Sequence, residues 1–150
     1  MINASVYIIC KNEEKHIKRV LESVKDFDEI IIVDSGSTDR TLDIVKDYTN
    51  NIYHKDWLGF AVQKEYARSL CNKEWVLNLD ADEQLTNELK NEIIKTIDEN
   101  KIDGLNIKIS SSYLGKFNNE KSKFNRRVRF FRKDVGHYPE KLVHESITIN

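Results

Sequence analysis

The sequence predicts an α/β protein built on a mostly parallel β-sheet, with a small antiparallel part at the C-terminal end. Over the first 100 residues, short apolar segments alternate with segments of helical periodicity, a pattern typical of parallel βαβ units. After Asp103 the helical periodicity stops, and the aromatic and basic segments that follow suit antiparallel strands better. Neither an internal repeat nor a linker rich in Pro, Gly or Ser is found, so residues 1–150 are interpreted as one domain.

The first two strands and helices follow one another within the first 50 residues. Residues 5–10 are continuously apolar, as is typical of a strand that is covered on both faces. One helix face then carries regularly spaced apolar residues: Ile17, Val20, Leu21 and Val24. Residues 29–33 form a second apolar strand that ends at Asp34, and a polar turn separates it from a helix containing Leu42 and Val45.

Two further strands and helices are predicted before residue 100. Residues 51–54 form a short third strand, and a helix over residues 59–70 precedes a strand over residues 74–79. The residues expected on the apolar face of that helix are Phe60, Ala67, Leu70 and Cys71. Thr86 is placed to cap a last helix, whose apolar residues are Leu89, Ile93 and Ile97.

The last third of the chain has a different pattern. Residues 104–109 alternate imperfectly between polar and apolar, and residues 110–123 are polar and predicted as a loop. Residues 124–133 are aromatic and basic. Two antiparallel strands are therefore expected here, rather than a further βαβ unit.

Composition narrows the classes of protein that this chain can belong to. Hydrophobic residues make up 39% and charged residues 33%, which is typical of a folded domain. The net charge of −1 provides no overall field for nucleic acid, so any anionic partner has to meet a local patch. Cys10 and Cys71 lie in apolar segments and are expected as buried thiols, which favours a reducing cytoplasm. We also expect no signal peptide and no membrane-spanning helix, although a peripheral membrane contact stays open.

An acidic pair, Asp80 and Asp82, directly follows the strand over residues 74–79. Two carboxylates at a strand end are hard oxygen ligands that suit a divalent cation, and such a cation often serves a phosphate-bearing ligand. Residues 11–13 and 34–36 also follow predicted parallel strands. Because ligands of such sheets bind outside the carboxyl ends of the strands, we expect these three polar clusters to converge.

Three stretches of the chain together resemble a known family. They are residues 5–14 (Ser-Val-Tyr-Ile-Ile-Cys-Lys-Asn-Glu-Glu), residues 32–39 (Ile-Val-Asp-Ser-Gly-Ser-Thr-Asp) and residues 79–83 (Leu-Asp-Ala-Asp-Glu). In this order they resemble family 2 glycosyltransferases of the A-type (GT-A) fold. Further matches resemble the subgroup that adds sugars to the lipopolysaccharide core: Gly59-Phe60, Gln63-Lys64, Arg129-Phe130-Phe131-Arg132 and Val143-His144-Glu145-Ser146.

The resemblance implies an inverting transfer of a sugar from a nucleoside diphosphate, with UDP favoured, to an acceptor hydroxyl. It implies a divalent cation, Mg or Mn, held by Asp82 and Asp80, with Asp80 also able to reach the ribose. Asp34 and Glu13 match positions near the nucleoside. For Asp34 the alternative is a turn that caps the next helix, and for Glu13 it is an exposed glutamate at a helix start. Asp39 is interpreted as a helix cap.

Four further residues match positions on the diphosphate and acceptor side. Lys64 is implied as a diphosphate contact, with a solvated helix face as the alternative. Arg129 and Arg132 are implied as contacts to the diphosphate or to an anionic acceptor, and the alternative is a charged edge strand. Glu145 is implied as the general base and His144 as a further metal or diphosphate contact, where the alternative for His144 is an ordinary surface histidine.

The resemblance also implies different roles for the two parts of the chain. Residues 1–103 would bind the nucleotide-sugar, and residues 104–150 would form an incomplete acceptor-side half, because relatives usually continue with further helices. The expected acceptor is a surface glycan or a lipid-linked sugar, met at the inner face of the cell membrane. Two alternatives stay open: a metal-dependent nucleotidyltransferase or phosphohydrolase, and a weakly active or non-catalytic module that binds sugar nucleotides. Against the first, no Gly-rich phosphate loop follows the first strand.

Overall fold

The computed structural model describes residues 1–110, 112–113, 116–117, 125–139 and 146–149. The helices are α1 (Ile17–Val24), α2 (Thr41–Val45), α3 (Phe60–Ser69) and α4 (Asn87–Glu99). The strands are β1 (Ile2–Cys10), β2 (Phe27–Asp34), β3 (Ile52–His54), β4 (Trp75–Asp80), β5 (Gly104–Ile109), β6 (Ser112–Tyr113), β7 (Lys116–Phe117), β8 (Asn125–Arg132), β9 (Gly136–His137) and β10 (Thr148–Ile149).

The main sheet has six strands in the order β3-β2-β1-β4-β8-β5. Strands β3, β2, β1 and β4 pair in parallel, with Ile9 facing Val33 on one side and Asp80 on the other. Strand β8 runs antiparallel to both of its neighbours, β4 and β5. The predicted α/β class, the parallel sheet and the antiparallel C-terminal part are confirmed.

Apolar cores lie on both faces of this sheet. One face packs against α1, whose buried residues are the four that the spacing predicted, and against Ile93 of α4. The other face packs against Ala67 and Cys71, at the C-terminal end of α3. Thr86 caps α4 as predicted, because its hydroxyl accepts from the backbone N–H of Leu89. Within the described ranges, no helix is long and apolar enough to cross a membrane.

Helix α3 departs from its sequence pattern. Its buried residues are Gln63, Lys64 and Ala67, whereas Phe60 is 56% exposed. The expected burial of Phe60 is therefore wrong. Phe60 lies in the first turn of α3, and a helix that follows a parallel strand starts at the carboxyl edge of the sheet. This turn faces an open cleft, and the polar residues one turn later take the buried positions.

The C-terminal segments add small antiparallel pairs around the main sheet. Strands β6 and β7 pair within the region that was predicted as a loop, so that prediction is wrong for those four residues. Strands β9 and β10 also pair, with Gly136 facing Ile149 and His137 facing Thr148. The segment that joins them contains His144 and Glu145, which lie outside the described residues.

Gly136 has no room for a side chain. A Cβ atom placed there would lie 2.1 Å from Cδ2 of Phe131, whose ring is fully buried in the core. Gly136→Ala should therefore destabilise the domain by about 3 kcal/mol, the upper end of overpacking costs. Urea denaturation would measure this loss, and the same change in a Phe131→Leu background, where a smaller side chain leaves room for the added methyl group, should cost less. Equal losses in the two backgrounds would contradict the steric explanation.

Candidate functional site at the carboxyl edge of the sheet

The loops after β1 and β2 are tied together by side-chain hydrogen bonds. The backbone of Asn12 is in the left-handed region, with φ of 54°. Its side-chain amide oxygen accepts from the backbone N–H of Thr38 at 2.8 Å, and its backbone N–H donates to the hydroxyl oxygen of Ser37 at 2.9 Å. Asp39 accepts from the backbone N–H of Thr41, the first residue of α2, as the capping interpretation predicts. The convergence of these two polar clusters is confirmed.

Asp34 uses its carboxylate within its own turn. One oxygen accepts from the backbone N–H groups of Gly36 and Ser37, both at 2.9 Å, and the other accepts from the Ser37 hydroxyl. Asp34 is also almost completely buried. The structure thus places Asp34 in the turn that was its alternative interpretation, and Asp34 is not among the residues that line the cleft described below.

Asp80 lies between two buried cations. Its Oδ1 is 2.9 Å from Nζ of Lys64, and its Oδ2 is 3.3 Å from Nη2 of Arg129. Lys64 and Arg129 are only 2% and 6% exposed, so the solvated helix face proposed for Lys64 is wrong. A lysine with this little exposure requires a charged partner, and Asp80 supplies it.

Arg129 reaches Asp80 because β8 lies inside the sheet. The strand pairs with β4 on one side and with β5 on the other, so the alternative of a charged edge strand is wrong. Its guanidinium also donates to Asn78 Oδ1 at 2.7 Å and to Glu83 Oε1 at 3.1 Å. Glu83 accepts in addition from the backbone N–H of Asp80, which closes the turn after β4. We call Lys64, Asn78, Asp80, Glu83 and Arg129 the ionic cluster.

The two carboxyl groups of the ionic cluster respond differently to their surroundings. Burial alone would raise the pKa of Asp80, but the charges of Arg129 and Lys64 outweigh burial and hold that pKa below its ordinary value. For Glu83, burial and the charge of Asp80 prevail over Arg129 and raise its pKa. Asp80 is therefore ionised at neutral pH, with both oxygens already paired to cations.

A cleft of about 370 Å³ opens beside this cluster. Residues from all three loops line it, together with two aromatic residues: Ile9, Cys10, Lys11, Glu13, Ser35, Trp57, Phe60, Asp80, Ala81 and Asp82. Asp82 is exposed, and its backbone carbonyl accepts from Arg19 at 3.2 Å. Burial and the carboxylate of Asp82 raise the pKa of Glu13, so two carboxylates meet at the mouth of the cleft.

Cys10 lines the same cleft but is no nucleophile. Burial, followed by the nearby charge of Asp34, raises the pKa of its thiol far above the ordinary value. The protonated thiol lies 3.6 Å from Asp34 Oδ1, to which it donates. The cleft therefore offers carboxylates, cations and aromatic rings, but no thiolate. This set of groups suits the binding and displacement of an anionic leaving group.

The chain matches the family model for glycosyl transferase family 2 over residues 5–148. This chain belongs to glycosyl transferase family 2. Two relatives match it along nearly all of its length. An uncharacterised glycosyltransferase of Rickettsia typhi is 36% identical over 100% of this chain and 54% of its own length. The lipopolysaccharide core biosynthesis glycosyltransferase LpsC of Rhizobium meliloti is 35% identical over 95% and 56% of the two lengths.

A solved structure of similar fold supports the GT-A assignment of this family 2 chain. The crystal structure of residues 1–349 of S. aureus TarS superposes with a TM-score of 0.69 at 26% identity, over 94% of this chain and 51% of the TarS chain. The chain thus spans about half the length of the curated relatives and of the solved structure that it matches. The predicted resemblance to family 2 and to its lipopolysaccharide core subgroup is confirmed.

Arg132 lies away from the site of this family 2 chain. It faces Trp75, the first residue of β4, whereas Asp80 is the last. Its guanidinium pairs with Glu74 and with Asp103, at 3.0 Å for the latter, and lies 4.6 Å from the centre of the Trp75 ring. The structure corrects the expected diphosphate contact. Arg129 and Arg132 are three residues apart in β8, and this odd spacing directs their side chains to opposite faces of the sheet. His144 and Glu145 lie outside the described residues.

Several residues of the site were not identified from the sequence. Glu83 and Asn78 complete the ionic cluster, and Gln63 donates to Ser35 at 2.9 Å behind the cleft. A signal for Asn78 was present, since it is a polar residue in an apolar strand and is two residues from Asp80, which places both on one face. Trp57 carried no comparable signal, because a lone tryptophan in a polar loop has no periodicity.

The residues of this family 2 site suit a cation that is shared with a ligand. Among the described residues, no group of three or more His, Cys, Asp or Glu side chains could hold a metal ion by itself. Asp80 has both oxygens paired, whereas the exposed side chain of Asp82 shows no hydrogen bond or ion pair with the described part of the chain. Mg²⁺ is commonly held by one or two carboxylates together with substrate phosphates and water, and the cleft fits that arrangement.

Proposed function

We propose that this domain is the donor-binding part of an inverting glycosyltransferase that moves a sugar from a nucleoside diphosphate to an acceptor hydroxyl. The observation that carries the proposal is the ionic cluster beside an exposed Asp82, at the carboxyl edge of the sheet. Family membership supports transfer of a glycosyl group. The cluster supports a departing diphosphate, because two buried cations pair with Asp80, two residues before the exposed carboxylate of Asp82.

We propose a UDP-sugar as the donor. TarS, which superposes at 25% identity and TM-scores of 0.69 and 0.68, was crystallised in complex with UDP and with UDP-GlcNAc. In this chain Asp82 would hold a divalent cation, Mg or Mn, and Asp80 would share that cation or meet the ribose. Glu13 would face the nucleoside, Asp34 would hold the turn beside it, and Lys64 and Arg129 would balance charge next to the diphosphate. When bound, the cation would neutralise charge on the leaving diphosphate.

We propose that the acceptor is a hydroxyl of a lipopolysaccharide-type or other surface glycan, as the similarity to LpsC suggests. Glu145 would remove the proton from that hydroxyl, and His144 would contact the diphosphate or the cation. Because the acceptor is carried by a membrane lipid, the protein would work from the cytoplasm at the inner face of the membrane.

The donor proposal is tested by a thermal-shift panel of UDP-, GDP-, TDP- and CMP-sugars, with Mn²⁺, with Mg²⁺ and with EDTA. A donor at about 100 times its Kd adds about 2.7 kcal/mol of stability, which corresponds to a rise in Tm of about 5 °C or more for a chain of this size. We expect a UDP-sugar to produce that rise only when the metal is present.

Asp82→Ala should abolish the metal-dependent rise in Tm without unfolding the protein, because Asp82 is exposed and its hydrogen bond to Arg19 uses the backbone. The matched control is Asp98→Ala, which removes an exposed aspartate from α4 and should leave the rise unchanged. If no donor stabilises the protein, or if Asp82→Ala responds as wild type does, the proposed function is wrong. Donor binding without any transfer would instead favour a non-catalytic binding module.

A further inference from the structure

Large apolar side chains are exposed together in one short segment beside the cleft. Among the described residues, this segment contains Trp57, Leu58, Phe60 and Val62, which are 49%, 62%, 56% and 44% exposed. Clustered apolar side chains that stay open to solvent commonly mark a contact surface. The proposed donor site assigns no role to any of them.

Trp57 and Phe60 form a rigid right-angled corner. Their ring centres are 4.7 Å apart and their planes meet at 87°, an edge-to-face arrangement that aromatic pairs favour. Gly59 produces the turn between them, because its φ of 103° lies in a region that other residues rarely adopt. We call Trp57 and Phe60 the aromatic corner. One flat apolar ring face and one ring edge are therefore exposed at the entrance of the cleft.

The aromatic corner shares its cleft with three carboxylates. Trp57 and Phe60 line the same cleft of about 370 Å³ as Glu13, Asp80 and Asp82. Glu13 and Asp82 both line this cleft, and carboxylate oxygens accept hydrogen bonds from hydroxyl groups. An apolar face opposite hydroxyl-accepting carboxylates is complementary to a pyranose ring, which carries C–H bonds on its faces and hydroxyl groups around its rim.

The charges around the corner do not suit an anionic membrane surface. Asp56 precedes Trp57 and its side chain is 93% exposed. Lys55 is directed elsewhere, with its ammonium group 4.9 Å from the centre of the Tyr66 ring. Apolar residues that insert into lipid usually have several lysines or arginines beside them, whereas the described residues that line this cleft include three carboxylates, Glu13, Asp80 and Asp82, and a single basic residue, Lys11. Sugar hydroxyl groups tolerate such neighbours.

We propose that the aromatic corner is the subsite for a sugar ring of the acceptor glycan. This inference rests on the proposed transferase function and adds to it a named acceptor-binding position. The half-exposed rings lie at the cleft entrance, where an incoming chain can reach them. The buried cations of the ionic cluster lie deeper, beside Asp80. A pyranose ring stacked on Trp57 would direct its hydroxyl groups into the carboxylate-lined cleft, toward the donor that is proposed to bind there.

Saturation-transfer NMR on the purified chain tests this proposal without a donor. The probes are lactose, cellobiose and chitobiose at millimolar concentration, chosen as neutral sugars with no phosphate or lipid. We expect at least one of them to bind wild type. Trp57→Ala and Phe60→Ala should each weaken that binding about fivefold, which is the effect of a stacking contact of about 1 kcal/mol. Trp57→Phe should retain most of it.

The matched control is Ile94→Ala, which removes an exposed apolar side chain from α4, outside the cleft, and should not change sugar binding. The proposal is overturned if no disaccharide binds wild type, or if both alanine variants bind as tightly as wild type does. It is also overturned if the variants lose affinity for UDP without a sugar, which would indicate stacking of the base. Weaker binding of UDP-GlcNAc with unchanged binding of UDP would assign the corner to the donor sugar instead.

A vesicle-binding experiment distinguishes a glycan ligand from a lipid surface. Wild type and Trp57→Ala are mixed with vesicles of phosphatidylethanolamine and phosphatidylglycerol and then sedimented. We expect little binding of either protein. Binding of wild type that Trp57→Ala abolishes would overturn the proposal in favour of a membrane contact. If no sugar nucleotide raises the Tm in the presence of metal, the proposed transferase function alone is overturned. The saturation-transfer signals of the disaccharides are measured without donor or metal, so they stay informative about sugar binding.

Discussion

Arg129→Met is expected to destabilise the domain by about 3 to 5 kcal/mol, the usual cost of removing one partner from a buried ionic network. The guanidinium is 6% exposed and donates to Asn78, Asp80 and Glu83. Methionine fills similar space but leaves two carboxylates with only one buried cation, Lys64. Urea denaturation at neutral pH would measure the difference.

The control for this prediction is Arg126→Met, which makes the same change at an exposed position of the same strand and should cost within about 0.5 kcal/mol. A second test adds Glu83→Gln to Arg129→Met. If the loss comes from unpaired charge, the double variant should be more stable than Arg129→Met alone. A double variant that is less stable would assign the loss to packing.

The stability difference between wild type and Arg129→Met should shrink in acid. The pKa of Glu83 is raised above its ordinary 4.5, so this group takes up a proton first as the pH falls. The pKa of Asp80 is lowered below its ordinary 3.8, so its contribution to stability is present above pH 3.8 and is lost only as the pH falls through the lower folded value. The difference should therefore begin to narrow above pH 4.5 and continue to narrow below pH 3.8. A constant difference over this range would contradict an electrostatic origin.

Glu145→Gln is expected to lower sugar transfer about 10²- to 10⁴-fold, the usual contribution of a general base. Glutamine has nearly the same shape as glutamate but cannot accept a proton from the acceptor hydroxyl. In the proposed function the donor binds through other residues, Asp82, Lys64 and Arg129, so donor binding should be unchanged. Transfer is measured with the donor that the thermal-shift panel identifies and with a lipopolysaccharide core oligosaccharide as acceptor.

The control for Glu145→Gln is Glu92→Gln, which makes the same change at an exposed position of α4 and should leave the rate of transfer unaltered. The pH profile provides a second measurement. The wild-type rate should fall in acid as the base becomes protonated, and the residual rate of Glu145→Gln should lack that step. An unchanged rate in Glu145→Gln would remove Glu145 from the role of base.

The sequence predicted the strands and the acidic pair well, because these features depend on local pattern. Residues 5–10, 29–33 and 74–79 are apolar enough to require burial on both faces, and each becomes a strand of the sheet. In a parallel sheet all such strands end at one edge, so the convergence of Asn12, Asp34 and Asp80 followed from strand order along the chain. The apolar face of α1 was predictable for the same reason, because it depends only on the spacing of apolar residues within one helix.

Long-range contacts were not predictable in the same way. For Lys64 the sequence left a solvated helix face open beside a diphosphate contact, and Arg132 was assigned the same contact as Arg129. Burial of Lys64 depends on Asp80, 16 residues away, and the separation of the two arginines depends on β8 entering the sheet between β4 and β5. Periodicity within one segment contains no information about which strand becomes its neighbour.

By itself, the sequence determined the α/β class, the family and the edge of the sheet at which the site lies, because apolar pattern and motif order suffice for those. Only the tertiary structure decided that Asp80 is neutralised by Lys64 and Arg129, that Asp82 is left as the free carboxylate, and that Trp57 and Phe60 border the same cleft. The physical reason is that charge compensation and exposure depend on which residues meet in space, and β8 brings Arg129 to Asp80 across 49 positions of the chain.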